Sequence, residues 1–179
     1  MPSTRTPPAP WPEVLSTLDK SLSGPVELHC LGGFVLVALY DIPRVTGDLD
    51  YITVIPPAAW EEIEELAGRE SKLAQKFRVF LHRASGVVDL PENYEDRLQE
   101  LNLGLRNLKL RVLDPYDMVL SKLTRESPKD TEDVKYLASK LKLSFSTLHA
   151  RFKTEMDWIG RRDWHEATLT NFWREYFTD

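Results

Sequence analysis

Residues 31–51, LGGFVLVALYDIPRVTGDLDY, constrain this chain more than any other stretch. A Gly-Gly pair, an apolar run of helical length and Arg44-x-Thr46-x-Asp48-x-Asp50 follow one another. If Asp48 and Asp50 lie on a strand, period-two alternation places both carboxylates on one face. Two neighbouring carboxylates repel unless a positive charge sits between them. A divalent cation meets that need, and Mg²⁺ takes one or two carboxylates together with substrate phosphates. Gly32 and Gly33 stand between a strand-like and a helix-like run. Glycine there lets the backbone approach a ligand, and a helix N-terminus favours phosphate. A tight packing turn is the plainer reading of the pair, and the glycine spacing is neither that of a P-loop nor that of a dinucleotide site. The segment as a whole reads as a metal and triphosphate site.

The flanking pattern predicts a mixed α+β fold: a small mixed sheet flanked by helices, then an all-helical C-terminal lobe. Trp11–Ser23 is amphipathic with Pro12 near its start, which suits a first helix. Val26–Leu31 is a short apolar strand bounded by Gly-Pro and Gly-Gly, and Phe34–Tyr40 is apolar nearly all round, as a buried helix would be. Leu49–Ile55 alternates and is rich in β-branched residues; Pro56-Pro57 stops it and opens an acidic helix through Glu65. Residues 71–77 extend the helical region. Val79–Leu81 and Val87–Leu90 suit short strand pieces around a Ser85-Gly86 turn. Glu92–Leu103 is expected to be helical and Leu108–Leu113 a half-exposed strand. Asp114-Pro115 and Ser127-Pro128 each pair a cap with an N1 proline, opening helices through Arg125 and Leu141. Two more helices fit Ser146–Trp158 and Trp164–Phe177. The expected division is a flexible proline-rich tail over residues 1–11, a first lobe over 12–113 and a helical lobe over 114–179.

Composition narrows the function classes. The 179 residues are 42% hydrophobic, which suits one domain or a domain with a small appendage. The single cysteine, Cys30, excludes an intramolecular disulfide and reads as a buried thiol. His29, His82, His149 and His165 are scattered, without zinc-ligand spacing. The longest apolar run is too short to span a bilayer, and the N-terminus has no signal-like apolar core, so a cytoplasmic protein is expected. A net charge of −5 argues against a strongly basic nucleic-acid binder. Residues 97–129 nevertheless carry seven basic residues (Arg97, Arg106, Lys109, Arg111, Lys122, Arg125, Lys129) against four acidic ones. That strip is either a guide for RNA or a solvated helix face.

The order strand, Gly-Gly, helix, Arg44-x-Thr46-x-Asp48-x-Asp50, strand resembles the nucleotidyltransferase superfamily with the polymerase-β-like palm. Its local spelling is most similar to the nucleotidyltransferases related to the AbiEii toxin group. LDPYDMVLSKLTRESPKDTEDVKYLA, residues 113–138, resembles that group's downstream motifs, a helical Lys, an Arg, then a basic residue-Asp and a second Asp. Those positions are Lys122, Arg125, Lys129-Asp130 and Asp133; PENYEDRL, residues 91–98, fits a middle region. The resemblance spans roughly residues 28–138 and leaves the last forty or so uncovered.

The resemblance implies that Asp48 and Asp50 bind Mg²⁺, which bridges the triphosphate of an NTP during attack at the α-phosphorus. It implies a third carboxylate on a neighbouring strand. Asp89, in Val-Val-Asp-Leu, is the strand-borne candidate and Asp133 the alternative; a strand-end acid before Pro91 is the plainer reading of Asp89. Lys122, with Arg125, would neutralise phosphate charge. Arg44 either meets phosphate or forms a structural ion pair, and Thr46 caps or orients its loop. Asp114 is explained by capping and Asp130 by the helix dipole. The aromatics Trp158, Trp164, Phe172, Trp173, Tyr176 and Phe177 could stack bases, but their helical spacing points first to packing or a partner surface.

Three functions compete on this basis. The leading one is nucleotidyl transfer to a hydroxyl acceptor, with a tRNA 3′ end and a toxin-like role implied by the resemblance; a protein or small-molecule acceptor suits the same site. The second is a degenerate palm that binds nucleotide or a partner without catalysis. The third is a partner module neutralised by an antitoxin through its aromatic helices.

Overall fold

The computed structural model describes residues 6–84, 88–125 and 127–177. Helix α1 (Trp11–Ser21) carries proline in its first turn, and Trp11, Val14, Leu15 and Leu18 recur on its buried face. Strand β1 (Val26–Leu31) runs directly into helix α2 (Gly32–Tyr40), whose buried residues lie on every side. The Trp11 ring meets Phe34 edge-on at 4.9 Å, locking α1 to α2. Strand β2 (Asp48–Ile55) follows, then helices α3 (Trp60–Ala67) and α4 (Lys72–Phe77), the latter capped by Ser71. Strands β3 (Phe80–Arg83), β4 (Gln99–Leu101) and β5 (Leu108–Val112) complete a five-stranded sheet of order β3-β2-β1-β5-β4. Pairing is mixed: β1 is antiparallel to β2 and parallel to β5, β2 is parallel to β3, and β4 is antiparallel to β5. Helices α5 (Pro115–Leu123), α6 (Pro128–Leu141), α7 (Phe145–Glu155) and α8 (Arg162–Phe177) form the C-terminal region. The mixed α+β class read from the sequence is the one observed. No helix among the described residues is long and apolar enough to cross a membrane.

The ladder between β1 and β2 contains a bulge. His29 pairs with Thr53 and Cys30 with Tyr51, so Ile52 is an extra residue on β2. Leu49 and Tyr51 are buried before it and Val54 after it. The extra residue keeps all three inward although strict alternation would have turned Thr53 in.

Two segments depart from the sequence reading. Residues 92–103 are not a helix. They form a short 3-10 turn (Tyr94–Arg97) and then β4, which pairs Gln99 with Val112 and Leu101 with Leu110. Tertiary pairing to β5 and burial of Leu98 and Leu101 outweigh the helix propensity of Glu, Gln and Leu here. Residues 88–90 carry no strand, so Asp89 is not strand-borne; Ser85, Gly86 and Val87 lie outside the described residues. So do residues 1–5 of the tail, whereas Pro7 is buried.

The chain divides into two compact units. One gathers the described residues of Met1–Val87 and Leu98–Leu113, the other those of Val88–Arg97 and Asp114–Asp179. In the first, the core is built from α1, α2 and the sheet, with Leu28, Phe34, Leu49, Tyr51 and Leu110 fully enclosed. In the second, Met118, Val119, Val134, Leu137, Leu148 and Phe152 are enclosed among the helices.

Asp19 fixes the entry to β5. Its Oδ1 accepts from the Asn107 and Leu108 amides at 2.6 and 2.7 Å, and its Oδ2 from the Arg106 amide at 3.2 Å. Burial alone would raise the Asp19 carboxyl, but these backbone donors outweigh it and hold the group below its ordinary range. A depressed folded pKa contributes stability above the unfolded value, about 3.9, that is lost as pH falls through the folded value. Asp19→Asn is expected to lower the unfolding free energy at pH 7 by about 1–3 kcal/mol and to blunt the loss of stability below about pH 4. Urea unfolding of both proteins at pH 7 and pH 3 checks this; equal midpoints at pH 7 would refute it.

Candidate active site

The site is built where β1 hands over to α2. Leu31 pairs with Asp50, so the strand end lies beside the second acid of the pair. Asp48 and Asp50 are half-buried and share one face of β2, while Leu49 and Tyr51 are buried on the other. Gly32 enters α2 at φ +77°, and a Cβ there would stand 2.6 Å from Asp50 Oδ2. Only glycine permits both that backbone and that approach. A Cβ on Gly33 would stand 3.0 Å from Arg44 Nη2 and 3.2 Å from Thr46 Oγ1. Arg44 and Thr46 therefore fold over the first turn of α2.

Thr46 is buried at the end of the loop that enters β2. Its hydroxyl donates to the Asp48 carbonyl at 2.9 Å and lies 3.3 Å from Asp48 Oδ1. The N-cap of α2, Leu31, supplies no side-chain acceptor. The first N–H groups of the helix thus carry the positive end of its dipole with no side-chain cap, a disposition that favours anions. Below them Cys30 is buried, and that burial, reinforced by the Asp50 charge, pushes its thiol far above the ordinary range. It is a protonated packing residue.

The strand beside β2 brings an imidazole. β3 pairs Asp50 with His82, and His82 Nδ1 lies 2.9 Å from Asp50 Oδ1. An ionised carboxylate only accepts, so Nδ1 carries the proton of this hydrogen bond. His82 was not singled out from the sequence, because a parallel pairing between segments some thirty residues apart leaves no local pattern. Asp89 belongs to the other unit, on residues without strand structure. Among the described residues no group of three or more His, Cys, Asp or Glu side chains forms a metal-binding cluster. The oxygen donors of Asp48 and Asp50, half-exposed beside a helix N-terminus, suit a hard cation that completes its shell with phosphate and water.

In the helical unit, Lys122 is 4% exposed at its side chain. Its Nζ donates to Asp130 Oδ1 at 2.7 Å and Asp133 Oδ2 at 2.8 Å, and Arg125 Nη2 reaches Asp130 Oδ1 at 3.0 Å. These four residues tie α5 to α6. Asp130, expected to answer only the helix dipole, is thus an ion-pair partner, and Asp114 is the expected N-cap, accepting from the Asp117 amide at 2.8 Å. The basic strip is largely neutralised: Arg97 pairs with Asp117 and Glu155, Lys109 with Glu27 and Glu100, and Arg111 approaches Glu27 at 3.9 Å. Of the C-terminal aromatics, Phe172 and Trp173 are buried and Trp173 packs at a tilt against Phe145 and Phe177, whereas Trp158 and Tyr176 are exposed. Packing accounts for most of them.

The sequence model of a family described as nucleotidyltransferases of unknown function (DUF6036) matches residues 14–179. The chain belongs to this family. The match runs through both units and includes the forty C-terminal residues for which the sequence offered no motif. No curated protein and no solved structure matches the chain. The family description and the Gly-Gly to acid-pair arrangement agree on the nucleotidyltransferase superfamily.

Two expectations follow from the geometry. Gly32→Ala should lower the unfolding midpoint, with the strained backbone costing about 1–3 kcal/mol, whereas Gly33→Ala should cost less because the Arg44 tip can yield. Thermal unfolding of the two variants checks the order. Lys122→Met removes the buried cation that bridges Asp130 and Asp133; it should destabilise the protein by about 3–5 kcal/mol. A small effect in urea unfolding would show that the lysine is not structurally committed.

Proposed function

We propose that this protein is a Mg²⁺-dependent nucleotidyltransferase that moves a nucleoside monophosphate from an NTP to a hydroxyl acceptor and releases pyrophosphate. The observation that supports it is the side-chain-free approach of Gly32 to Asp50, with Asp48 on the same face of β2. Asp48 and Asp50 would hold Mg²⁺ through the oxygen donors it prefers. When bound, the ion supplies charge stabilisation for displacement at the α-phosphorus. The chain's own residues bind and orient. The first amides of α2 take phosphate oxygens, Arg44 adds a cation above Gly33, and Thr46 holds Asp48 in place.

Lys122 is engaged with Asp130 and Asp133, and Arg125 with Asp130, so neither would neutralise phosphate without exchanging those carboxylates. The AbiEii-like order of motifs supports a tRNA 3′ end as acceptor, a toxin-like role, a protein antitoxin as partner and a cytoplasmic setting. Because so much of the basic strip is self-neutralised, RNA would be held by few phosphate contacts and its binding would depend only modestly on salt.

One observation favours a second reading, a catalytically degenerate palm that binds nucleotide or a partner. The position beside Asp50 on β3 is His82 and not a third carboxylate. Incubation with Mg²⁺, each α-labelled NTP and total tRNA separates the two. Wild type is expected to label RNA, and the Asp48→Ala/Asp50→Ala double variant to lose at least about a hundredfold of that rate. Label on protein would redirect the acceptor to a partner. Mg²⁺–NTP binding without transfer would support the degenerate palm, and absence of binding would overturn the assignment of Asp48 and Asp50.

A further inference from the structure

We infer that His82 is a positioning residue for the acid pair: its imidazole clamps Asp50 in the orientation that presents the carboxylate to a cation. This rests on the nucleotidyltransferase reading of Asp48 and Asp50. β3 pairs Leu49 with Leu81 and Asp50 with His82 in parallel register. Leu49 and Leu81 are buried, so the two polar residues share the opposite face. There His82 Nδ1–H donates to Asp50 Oδ1 at 2.9 Å, while Oδ2 lies against Gly32, 2.6 Å from where a Cβ would be. Both oxygens of the carboxylate are bounded, one by a donor and one by a backbone stripped of its side chain. Rotation about χ2 would break the first contact.

Stability does not explain the pair. The side chains are 54% and 26% exposed, and ion pairs this open to water contribute little to folding. β3 is an edge strand, so among the described residues the imidazole packs against no further strand. At Asp48 the arrangement differs: the Thr46 hydroxyl donates to the Asp48 carbonyl at 2.9 Å and stands 3.3 Å from its Oδ1. Asp50 therefore has a committed side-chain donor on the neighbouring strand. Such partners fix the direction of a ligating carboxylate and commonly govern metal affinity by about 10–100-fold.

Mn²⁺ serves as probe, since it accepts the oxygen ligands that suit Mg²⁺ and its free concentration is read by electron paramagnetic resonance. The full chain, His82→Ala, His82→Asn and the Asp48→Ala/Asp50→Ala double variant are titrated, and the unfolding midpoint of each is measured. His82→Ala should bind Mn²⁺ about tenfold more weakly or worse. His82→Asn should recover most of the affinity, because its amide Nδ2 can take the place of Nδ1. Both midpoints should stay near wild type. Unchanged affinity in His82→Ala overturns the clamp, and so does a loss that Asn does not restore. In either case, binding by wild type and not by the double variant leaves the reading of the acid pair standing. If wild type binds no Mn²⁺, with or without NTP, that reading falls and the clamp falls with it.

Discussion

The antiparallel pairing of β1 with β2 is the constraint on which the site depends. Its register sets Leu31 opposite Asp50, so the chain leaves the sheet and starts α2 beside a carboxylate. That crowding admits only a residue without a side chain and with positive φ at position 32. A slip of one residue would turn Asp48 and Asp50 into the core and Leu49 and Tyr51 out of it. The apolar cost of such a slip is large, because Leu28, Leu49 and Tyr51 are completely enclosed. The hydrophobic core therefore enforces the placement of the acids without touching them. The bulge at Ile52 confines the register change to the far side of the pair.

Much of this was legible because it is local. The alternation of Leu49–Ile55, the apolar run after Gly32-Gly33 and the cap-proline pair at Asp114-Pro115 each carry their structure within a few residues, and each is found. What escaped the sequence depends on distant segments. Residues 99–101 look helical by composition and become a strand because β5 offers them a ladder. His82 acquires meaning only once β3 is laid beside β2. Asp19 sits unremarked on an amphipathic helix until the amides of residues 106–108 arrive on it. The reading of Asp89 as strand-borne failed for the same reason in reverse: a Val-Val-Asp-Leu run suits a strand, but among the described residues no strand pairs with residues 88–90.

The helical unit is organised by buried charge. Arg97 grips Asp117 through Nε and Nη2, both at 3.0 Å, and the same guanidinium reaches Glu155 at 2.7 Å. Arg151 adds contacts to Asp114 and Asp117 at 2.7 and 2.8 Å. Burial tends to raise the Glu155 carboxyl, yet the Arg97 hydrogen bonds outweigh it and hold the group below its usual range. Networks of this kind add little net stability over apolar packing, and their value lies in excluding arrangements that leave a charge unmatched. Together with the Lys122–Asp130–Asp133 group, they make the second unit a set of helices whose docking is specified by charge as much as by shape.

The path of the chain through its two units has a consequence for anyone who would take the protein apart. Residues 88–97 leave the sheet unit, join the helices and return as residues 98–113 before the helices resume at Asp114. The boundary is crossed three times, so neither unit corresponds to an uninterrupted stretch of the polypeptide. A fragment ending at Leu113 would keep the whole sheet but carry Arg97 away from both of its acids. The complementary fragment would expose Asp117 and Glu155 with one guanidinium fewer between them. The sheet unit and the helices are in this sense inseparable by a single cleavage, and a shuffled or truncated version must preserve all three crossings to preserve either.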